Sequence, residues 1–322
     1  MENTGRPCTL SIVIPVYRSA AILPRLIEEI HAALARLQGI SGYEVILVND
    51  ASPDASWDAI RRLAAADDRV RGINLRRNAG QHNAVMAGLN HVRGDFVVTM
   101  DDDLQHPPAA IGALVDALRQ GYDVCYTRYL NRKHPLWKQV GSRFNDWMAT
   151  RLIGKPRGLY LSSFRGMWRE VADELVKYDG PYAYVDGLIV DVTSSITSID
   201  IVHQARHEGE SNYTFGRLVS LWLKMATSFS LLPLRLATYL GFLLAGVSAV
   251  MVVFVAAMKW MHPDYPAGWA SIMATLLLIG GIQTLCIGMI GEYLGRTYLK
   301  LNGKRQFVVG ATTWERKAGD HA

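Results

Sequence analysis

The chain has 322 residues, of which 50% are hydrophobic and 20% are charged, and its formal net charge is +5. This length is enough for about two domains, and the apolar content excludes an intrinsically disordered protein. Three cysteines that lie far apart in the sequence exclude a disulfide-stabilised secreted module and favour a reducing compartment. The 34 basic and 29 acidic residues form no long basic block, so nucleic acid is not an expected partner.

Apolar runs alternate with helix-like segments in the first 120 residues. The apolar runs predict strands at 10–16, 43–48, 70–75 and 95–100, and the segments that follow them predict helices at 21–37, 57–66, 81–92 and 109–118. This alternation predicts an α/β fold with a mainly parallel sheet and helices on both faces. No glycine-rich dinucleotide fingerprint follows a strand and no P-loop occurs, so both of those nucleotide-binding folds are disfavoured.

Polar residues follow each predicted strand directly. They are Tyr17 and Arg18, then Asn49 and Asp50, then Arg76, Arg77 and Asn78, and finally Asp101, Asp102 and Asp103. In open α/β sheets, ligands bind beyond the carboxyl ends of the strands. These residues are therefore expected to border a ligand site.

The triple aspartate at 101–103 is the sharpest local signal. Adjacent carboxylates repel one another, and the spacing places Asp101 and Asp103 on the same side of an extended chain. Such oxygen ligands suit Mg²⁺ or Mn²⁺, with substrate phosphates completing the coordination shell. An acidic triplet is also typical of a solvated turn or a helix cap, but its position after a buried-type strand favours the metal site. Asp50 is expected to contact a nucleotide, or alternatively to cap the helix that begins near residue 53.

Two long apolar segments follow residue 235. Residues 236–258 and 269–291 each contain 23 positions without a charge. Each would form roughly 34 Å of helix, which is enough to cross a hydrocarbon core of about 30 Å. We interpret them as a transmembrane hairpin, because buried core helices seldom run this long without a charge.

Basic residues flank the outer ends of this hairpin: Arg217, Lys224, Arg235, Arg296, Lys300, Lys304 and Arg305. The positive-inside rule then predicts that both termini are cytoplasmic, and the N-terminal residues do not resemble a signal peptide. Residues 213–234 predict an amphipathic interfacial helix or, alternatively, an ordinary helix packed on the soluble domain. The expected organisation is a catalytic domain at 1–212, this helix, the hairpin at 235–295 and a cytoplasmic tail at 296–322.

Six segments in order resemble one enzyme family: SIVIPVY at 11–17, VND at 48–50, RNAGQH at 77–82, DDDLQHPP at 101–108, SFR at 163–165 and GEYLGR at 291–296. Together with the hairpin they are similar to the polyprenyl-phosphate glycosyltransferases. These are inverting family-two enzymes with the glycosyltransferase-A fold, and they include dolichol-phosphate mannose synthase and bacterial undecaprenyl-phosphate transferases. The bacterial branch is the closer match, which implies the bacterial inner membrane as the location.

The resemblance implies a nucleotide-sugar donor, with UDP favoured over GDP, a polyprenyl-phosphate acceptor and Mg²⁺ or Mn²⁺. It implies that donor binding involves Pro15, Tyr17, Asp50, Asn78, Gln81, Asp101, Asp102 and Gln105. It places the metal at Asp101 and Asp103 and assigns catalytic roles to Asp101, Asp103, Arg128 and Arg165. The acceptor phosphate would lie near Arg128, Arg132 and Arg206, although Arg132 and Arg206 are equally typical of exposed surface arginines.

The chain departs from the family pattern at Asp102, His106, Ser163 and Asn212. Because a lipid phosphate is already anionic, a dedicated general base is less necessary than for a sugar hydroxyl acceptor, which is compatible with Ser163 at a position that is aspartate in some relatives. Specificity for the donor sugar is expected from residues 156–191, which include Tyr182, Tyr184 and Asp186.

Two other functions remain open at this stage. A processive polysaccharide synthase would need more membrane spans and a Gln-x-x-Arg-Trp motif, and a non-catalytic scaffold or flippase subunit would leave the aspartates without a purpose. Small residues in the second span, Gly280, Gly281, Gly288, Gly291 and Gly295, suggest a homo-oligomer. The resemblance favours a tetramer.

Overall fold

The computed structural model describes residues 8–130, 159–180, 183–202, 232–261 and 268–314. The chain divides into two compact units. The described residues of 1–212 belong to the first unit together with those that follow residue 302, and the described residues of 213–302 form the second. The first unit contains the predicted catalytic domain.

The first unit is built on one sheet of eight strands in the order β7-β5-β6-β4-β1-β2-β3-β8. The strands are β1 (Cys8–Val16), β2 (Ile40–Asn49), β3 (Val70–Leu75), β4 (Phe96–Thr99), β5 (Val124–Leu130), β6 (Arg165–Trp168), β7 (Ile196–Val202) and β8 (Val309–Thr312). Strands β3, β2, β1 and β4 are mutually parallel, as are β5 and β7, whereas β6 and β8 pair antiparallel with their neighbours. The predicted α/β fold with a mainly parallel sheet is confirmed.

Six helices of the first unit lie within the described residues. They are α1 (Leu23–Leu34), α2 (Ser56–Ala66), α3 (Gln81–Leu89), α4 (Ile111–Arg119), α5 (Arg169–Leu175) and α6 (Val185–Val192), and a short 3₁₀ turn (Pro108–Ala110) precedes α4. The four strands and four helices predicted before residue 120 are all present, with ends that differ by no more than three residues.

The core explains why the strands read as unbroken apolar runs. Every residue of β1 from Leu10 to Val16 is buried, because helices cover both faces of the sheet. Helix α1 buries one stripe at helical spacing: Leu23, Leu26, Ile27, Ile30 and Leu34. Helix α3 is buried from Asn83 to Leu89, and Gly88 allows it to approach Val13 of β1 closely. This packing fixes the first turn of α3 beside the carboxyl ends of β1 and β2.

The second unit contains two long helices, α7 (Leu232–Met261) and α8 (Trp269–Leu301), which contact each other. Both continue beyond the predicted charge-free segments, since polar residues at their ends remain helical. Among the described residues, the stretch Leu278–Leu301 is long and apolar enough to cross a membrane, judged by length and composition alone. The predicted interfacial segment lies outside the described residues except for its last three positions, which begin α7.

The segment that follows α8 contains a strand of the sheet in the first unit. Val309–Thr312 forms β8, which pairs antiparallel with β3 so that Ile73 lies opposite Thr312. This strand could not be predicted from the sequence, because four residues are too few to establish a period-two pattern. The C-terminal segment therefore completes one edge of the sheet in the first unit.

Candidate functional site

Loops at the carboxyl ends of β1, β2, β3 and β4 border a pocket of about 540 Å³. Seven of the eight residues predicted to bind the donor line it: Pro15, Tyr17, Asp50, Asn78, Gln81, Asp101 and Asp102. Asp103 also lines the pocket, whereas Gln105, the eighth predicted residue, is not among its lining residues. The structure thus brings together side chains from loops that are far apart in the sequence.

Asp50 anchors one wall of this pocket. It ends β2 with only 4% of its surface exposed, and its two carboxylate oxygens accept hydrogen bonds from the backbone N–H groups of Ala79 (2.6 Å) and Gly80 (2.9 Å). Its backbone oxygen accepts a further hydrogen bond from the Asn78 amide at 3.2 Å. Burial raises the pKa of Asp50, although the two N–H donors oppose that shift. Asp50 therefore holds the loop that leads into α3.

The loop that Asp50 holds turns at Gly80. Gly80 has a φ of +86°, a left-handed conformation that a residue with a side chain rarely adopts, and the next residue begins α3. Asp50 does not cap α2, because its carboxylate is bound to Ala79 and Gly80, and the N-cap position of α2 is Ala55.

Asp101 is held by two side chains. One carboxylate oxygen accepts a hydrogen bond from the Gln81 amide at 2.6 Å, and the other accepts one from the Ser163 hydroxyl at 2.6 Å. Its backbone N–H donates to Nδ1 of His106 at 3.0 Å. His106 and Ser163, two departures from the family pattern, both act on the first aspartate of the triplet.

Asp102 and Asp103 have other partners. Asp102 accepts a hydrogen bond from the Tyr17 backbone N–H at 3.1 Å, and burial, with smaller contributions from Asp101 and Asp103, raises its pKa to about 6. Asp103 accepts a hydrogen bond from the Gln105 backbone N–H at 3.1 Å. Asp102 therefore ties the triplet to the loop after β1, so it does more than add charge.

Asp101 and Asp103 are the residues that could hold a metal ion. Within the described parts of the chain, no group of three or more His, Cys, Asp or Glu side chains is arranged to bind one. The two carboxylates fit Mg²⁺ or Mn²⁺ only if other oxygen atoms complete the shell, and the phosphates of a nucleotide are suitable ligands.

Arg165, predicted to be catalytic, is almost fully buried at 2% exposure. Its guanidinium forms an ion pair with Asp186, its Nε donates to the Thr99 hydroxyl at 3.2 Å, and it lies 5.7 Å from the centre of the Tyr126 ring. It borders a second pocket of about 130 Å³, which shares Pro15, Gln81 and Asp101 with the larger one. The pairing of Arg165 with Asp186 had no sequence signal, because the two residues come from β6 and α6.

Arg128 lies away from both pockets. It is half exposed on β5 and forms a bidentate ion pair with Asp200, its register partner on β7, at 2.6 and 2.9 Å. The ion pair raises the pKa of Arg128 and lowers that of Asp200. Arg132 and Arg206 lie outside the described residues, so the acceptor-phosphate site stays a prediction.

Comparison with known proteins identifies the family. Residues 11–176, more than half of the chain, match the model of glycosyl transferase family 2. The chain belongs to glycosyltransferase family 2. The predicted enzyme class is therefore confirmed, and the alternative of a non-catalytic scaffold is disfavoured. Residues 232–297 of this glycosyltransferase match a second model, the GtrB C-terminal hairpin, which agrees with α7 and α8.

The glycosyltransferase is similar to full-length relatives. It is 31% identical over 318 residues to the undecaprenyl-phosphate 4-deoxy-4-formamido-L-arabinose transferase of Photorhabdus laumondii, covering 97% of this chain and 96% of the relative. It is 34% identical over 313 residues to the protein of that name from Yersinia pestis, covering 95% of each chain.

A solved structure agrees with the fold. The glucosyl-3-phosphoglycerate synthase of Mycobacterium tuberculosis, in complex with Mn²⁺, uridine diphosphate and phosphoglyceric acid, matches with a TM-score of 0.50 at 18% identity. The match covers 68% of this chain and 76% of the synthase. At this identity the likeness establishes the glycosyltransferase-A fold and nothing beyond it.

Proposed function

We propose that this glycosyltransferase moves a sugar from a UDP-linked donor to undecaprenyl phosphate, and that the sugar is 4-deoxy-4-formamido-L-arabinose. The observation that carries the proposal is the similarity to transferases of that name over 95–97% of the chain, because it covers both the catalytic domain and the hairpin. A processive synthase is the weaker candidate, since the described residues contain no further long apolar helix beyond α7 and α8 that could help to form an export channel.

The 540 Å³ pocket is the proposed donor site. The loop that Asp50 holds and the segment from Pro15 to Tyr17 would enclose the nucleoside, and the diphosphate would then lie near Asp101 and Asp103. These two carboxylates would hold Mg²⁺ or Mn²⁺, which would stabilise negative charge on the departing UDP. Gln81 and Ser163 would keep Asp101 in the orientation that the diphosphate requires.

The proposed reaction requires little proton transfer by the protein. A phosphate oxygen of the lipid would attack the anomeric carbon while the bond from that carbon to the UDP oxygen breaks. A single displacement of this kind inverts the configuration at the sugar. Since the acceptor is already anionic, the reaction depends little on a general base. The residue beside Asp101 can therefore be Ser163, which is not a base. The remaining task, binding two anions close together, is proposed for Arg128, Arg132 and Arg206.

The proposed setting is the bacterial inner membrane, with the catalytic domain and both termini in the cytoplasm. The apolar surface of the hairpin supports this location, because large side chains such as Phe242, Val250 and Leu294 are exposed along it. A homo-oligomer is also proposed, and cross-linking that finds only monomers in membranes would refute it.

The test uses the full-length protein purified in detergent. It would be incubated with undecaprenyl phosphate, Mg²⁺ or Mn²⁺ and a panel of nucleotide sugars, and lipid-linked products would be identified by mass spectrometry. The Asp103→Ala variant should lose at least 100-fold in rate, whereas Asp58→Ala, which removes an exposed aspartate on α2, should behave like the wild type. Wild-type transfer by Asp103→Ala would refute the metal-assisted mechanism, and no lipid-linked sugar from any donor would refute the acceptor.

A further inference from the structure

The smaller pocket adjoins the proposed nucleotide pocket, because Pro15, Gln81 and Asp101 line both. Its polar lining consists of Gln81, His82, Thr99, Asp101, Ser163, Arg165 and Asp186. Because it shares Asp101 with the pocket proposed for the diphosphate, it lies where the sugar of a bound donor would extend. Its chemistry therefore bears on which donor the enzyme accepts.

Asp186 is the most rigidly held group in this lining. It is 8% exposed, and its Oδ1 accepts a hydrogen bond from the Tyr126 hydroxyl at 3.1 Å and one from the buried guanidinium of Arg165. Arg165 is fixed in turn by the Thr99 hydroxyl. The carboxylate is thus anchored from one side by two buried partners.

The other oxygen of this carboxylate is available. Among the described residues, Oδ2 of Asp186 has no hydrogen-bond partner, and the side chain lines the pocket. This oxygen is open to the pocket, and a hydrogen bond from a ligand to a charged carboxylate is stronger than one between neutral groups. Oδ2 is therefore poised to accept a hydrogen bond from a ligand.

The rest of the lining narrows the class of ligand. One amide hydrogen of Gln81 and the hydroxyl hydrogen of Ser163 are already donated to Asp101, which leaves their oxygens as acceptors. Arg165 balances the charge of Asp186, so the negative charge left in the lining is that of Asp101, which the proposed metal ion would neutralise. A lining of this kind fits a neutral group rich in O–H donors, such as a sugar ring.

We propose that Asp186 is a specificity-determining residue that accepts a hydrogen bond from a hydroxyl of the donor sugar, and that Arg165 and Tyr126 are positioning residues that fix its orientation. This inference rests on the proposed function only in requiring a UDP-linked sugar as the donor. It gives Arg165 a role through Asp186 in place of direct contact with the reacting atoms.

The first test compares the binding of UDP with that of UDP-linked 4-deoxy-4-formamido-L-arabinose, measured by calorimetry on the full-length protein in detergent. The Asp186→Asn variant should bind the sugar nucleotide about 10- to 100-fold more weakly, which is the usual cost of losing a hydrogen bond to a charged group, and should bind UDP within twofold of the wild type. The control is Asp173→Asn on α5, which changes an exposed aspartate outside both pockets. Equal loss of both ligands, or loss of neither, would overturn the proposal.

A second measurement needs no variant that might fold poorly. Donors that lack the 2- or the 3-hydroxyl of the sugar are compared with the parent donor on the wild-type protein. One of them should bind at least tenfold more weakly, and Asp186→Asn, if folded, should not discriminate against that analogue. Unchanged binding of both deoxy donors by the wild type would overturn the assignment. A protein that follows the expected pattern but transfers nothing to undecaprenyl phosphate would refute the proposed acceptor and leave Asp186 in its role.

Discussion

Strand β8 is expected to stabilise a loop that lines the proposed donor pocket. β8 pairs with β3, and the chain just before β8 accepts hydrogen bonds from the Arg76 backbone N–H, at 2.8 Å, and from the Arg77 guanidinium, at 3.1 Å. These two arginines begin the loop that continues to Gly80 and is held by Asp50. A substitution that weakens β8 should therefore weaken the binding of the nucleotide.

Thr313→Val tests this connection with little change of shape. The Thr313 hydroxyl accepts a hydrogen bond from the Gly72 backbone N–H at 2.9 Å, and valine leaves that N–H without its acceptor. The loss should lower the free energy of unfolding by about 1 kcal/mol. If all of it reached the loop, UDP would bind about fivefold more weakly. Trp314→Ala, which removes a ring 4.0 Å from the guanidinium of Arg71, should act in the same direction.

The matched control is Thr9→Val at the amino end of the central strand β1, whose carboxyl end borders the pocket. The Thr9 hydroxyl donates to the Asp95 carboxylate at 2.9 Å and accepts from the Asp95 backbone N–H at 3.2 Å, so this variant also loses hydrogen bonds, but far from the pocket. Thermal unfolding would establish that the two valine variants are comparably destabilised, and calorimetry would measure UDP binding. Thr9→Val should bind UDP normally. If both variants bind UDP equally well, the strand does not support the loop.

Three other changes test separate parts of the structure. Asp50→Asn should weaken UDP binding at least tenfold in calorimetry, because an amide cannot accept from two backbone N–H groups as a carboxylate does, and normal binding would contradict this. Arg128→Gln should raise KM for undecaprenyl phosphate while UDP binding is unchanged. Asp200→Asn, which removes the partner of Arg128, should not raise that KM. Equal kinetics for the two variants would show that Arg128 has only a structural role in its ion pair. Burial, with Arg69 as a smaller cause, lowers the pKa of His31 below 6.5, so the stability of the wild type should fall as the pH drops below about 6.5, whereas His31→Gln should lack this slope in unfolding curves.

The edge of the sheet where ligands bind could be predicted from the sequence. Parallel strands bring their carboxyl ends to one edge, so polar residues such as Asp50 and Asp101 that follow such strands must lie together. That rule requires only the order of strands and helices, and hydrophobic periodicity supplies this order. It is the reason that residues as far apart in the sequence as Pro15 and Asp103 line one pocket.

Contacts that depend on the antiparallel part of the sheet could not be predicted in this way. Arg165 comes from β6 and Asp186 from α6. The burial of a charged residue cannot be predicted from the residues next to it in the sequence. Arginine and aspartate usually occupy exposed positions, and the catalytic role expected for Arg165 came from the family resemblance alone. β8 was missed for a related reason, since its partner β3 precedes it by more than 200 residues.

The triple aspartate shows why three adjacent carboxylates can be tolerated. Asp101 accepts from two side chains, and Asp102 and Asp103 each accept from a backbone N–H, so all three have local hydrogen-bond donors. The donor to Asp103 lies in the same loop, whereas Tyr17, Gln81 and Ser163 lie in three other segments, so their bonds also tie those segments to the triplet. The repulsion is still visible in Asp102, where burial and its two neighbours raise the pKa to about 6. Since that shift favours the protonated form in the folded state, the native arrangement at neutral pH carries a cost, and a cation at Asp101 and Asp103 would reduce it.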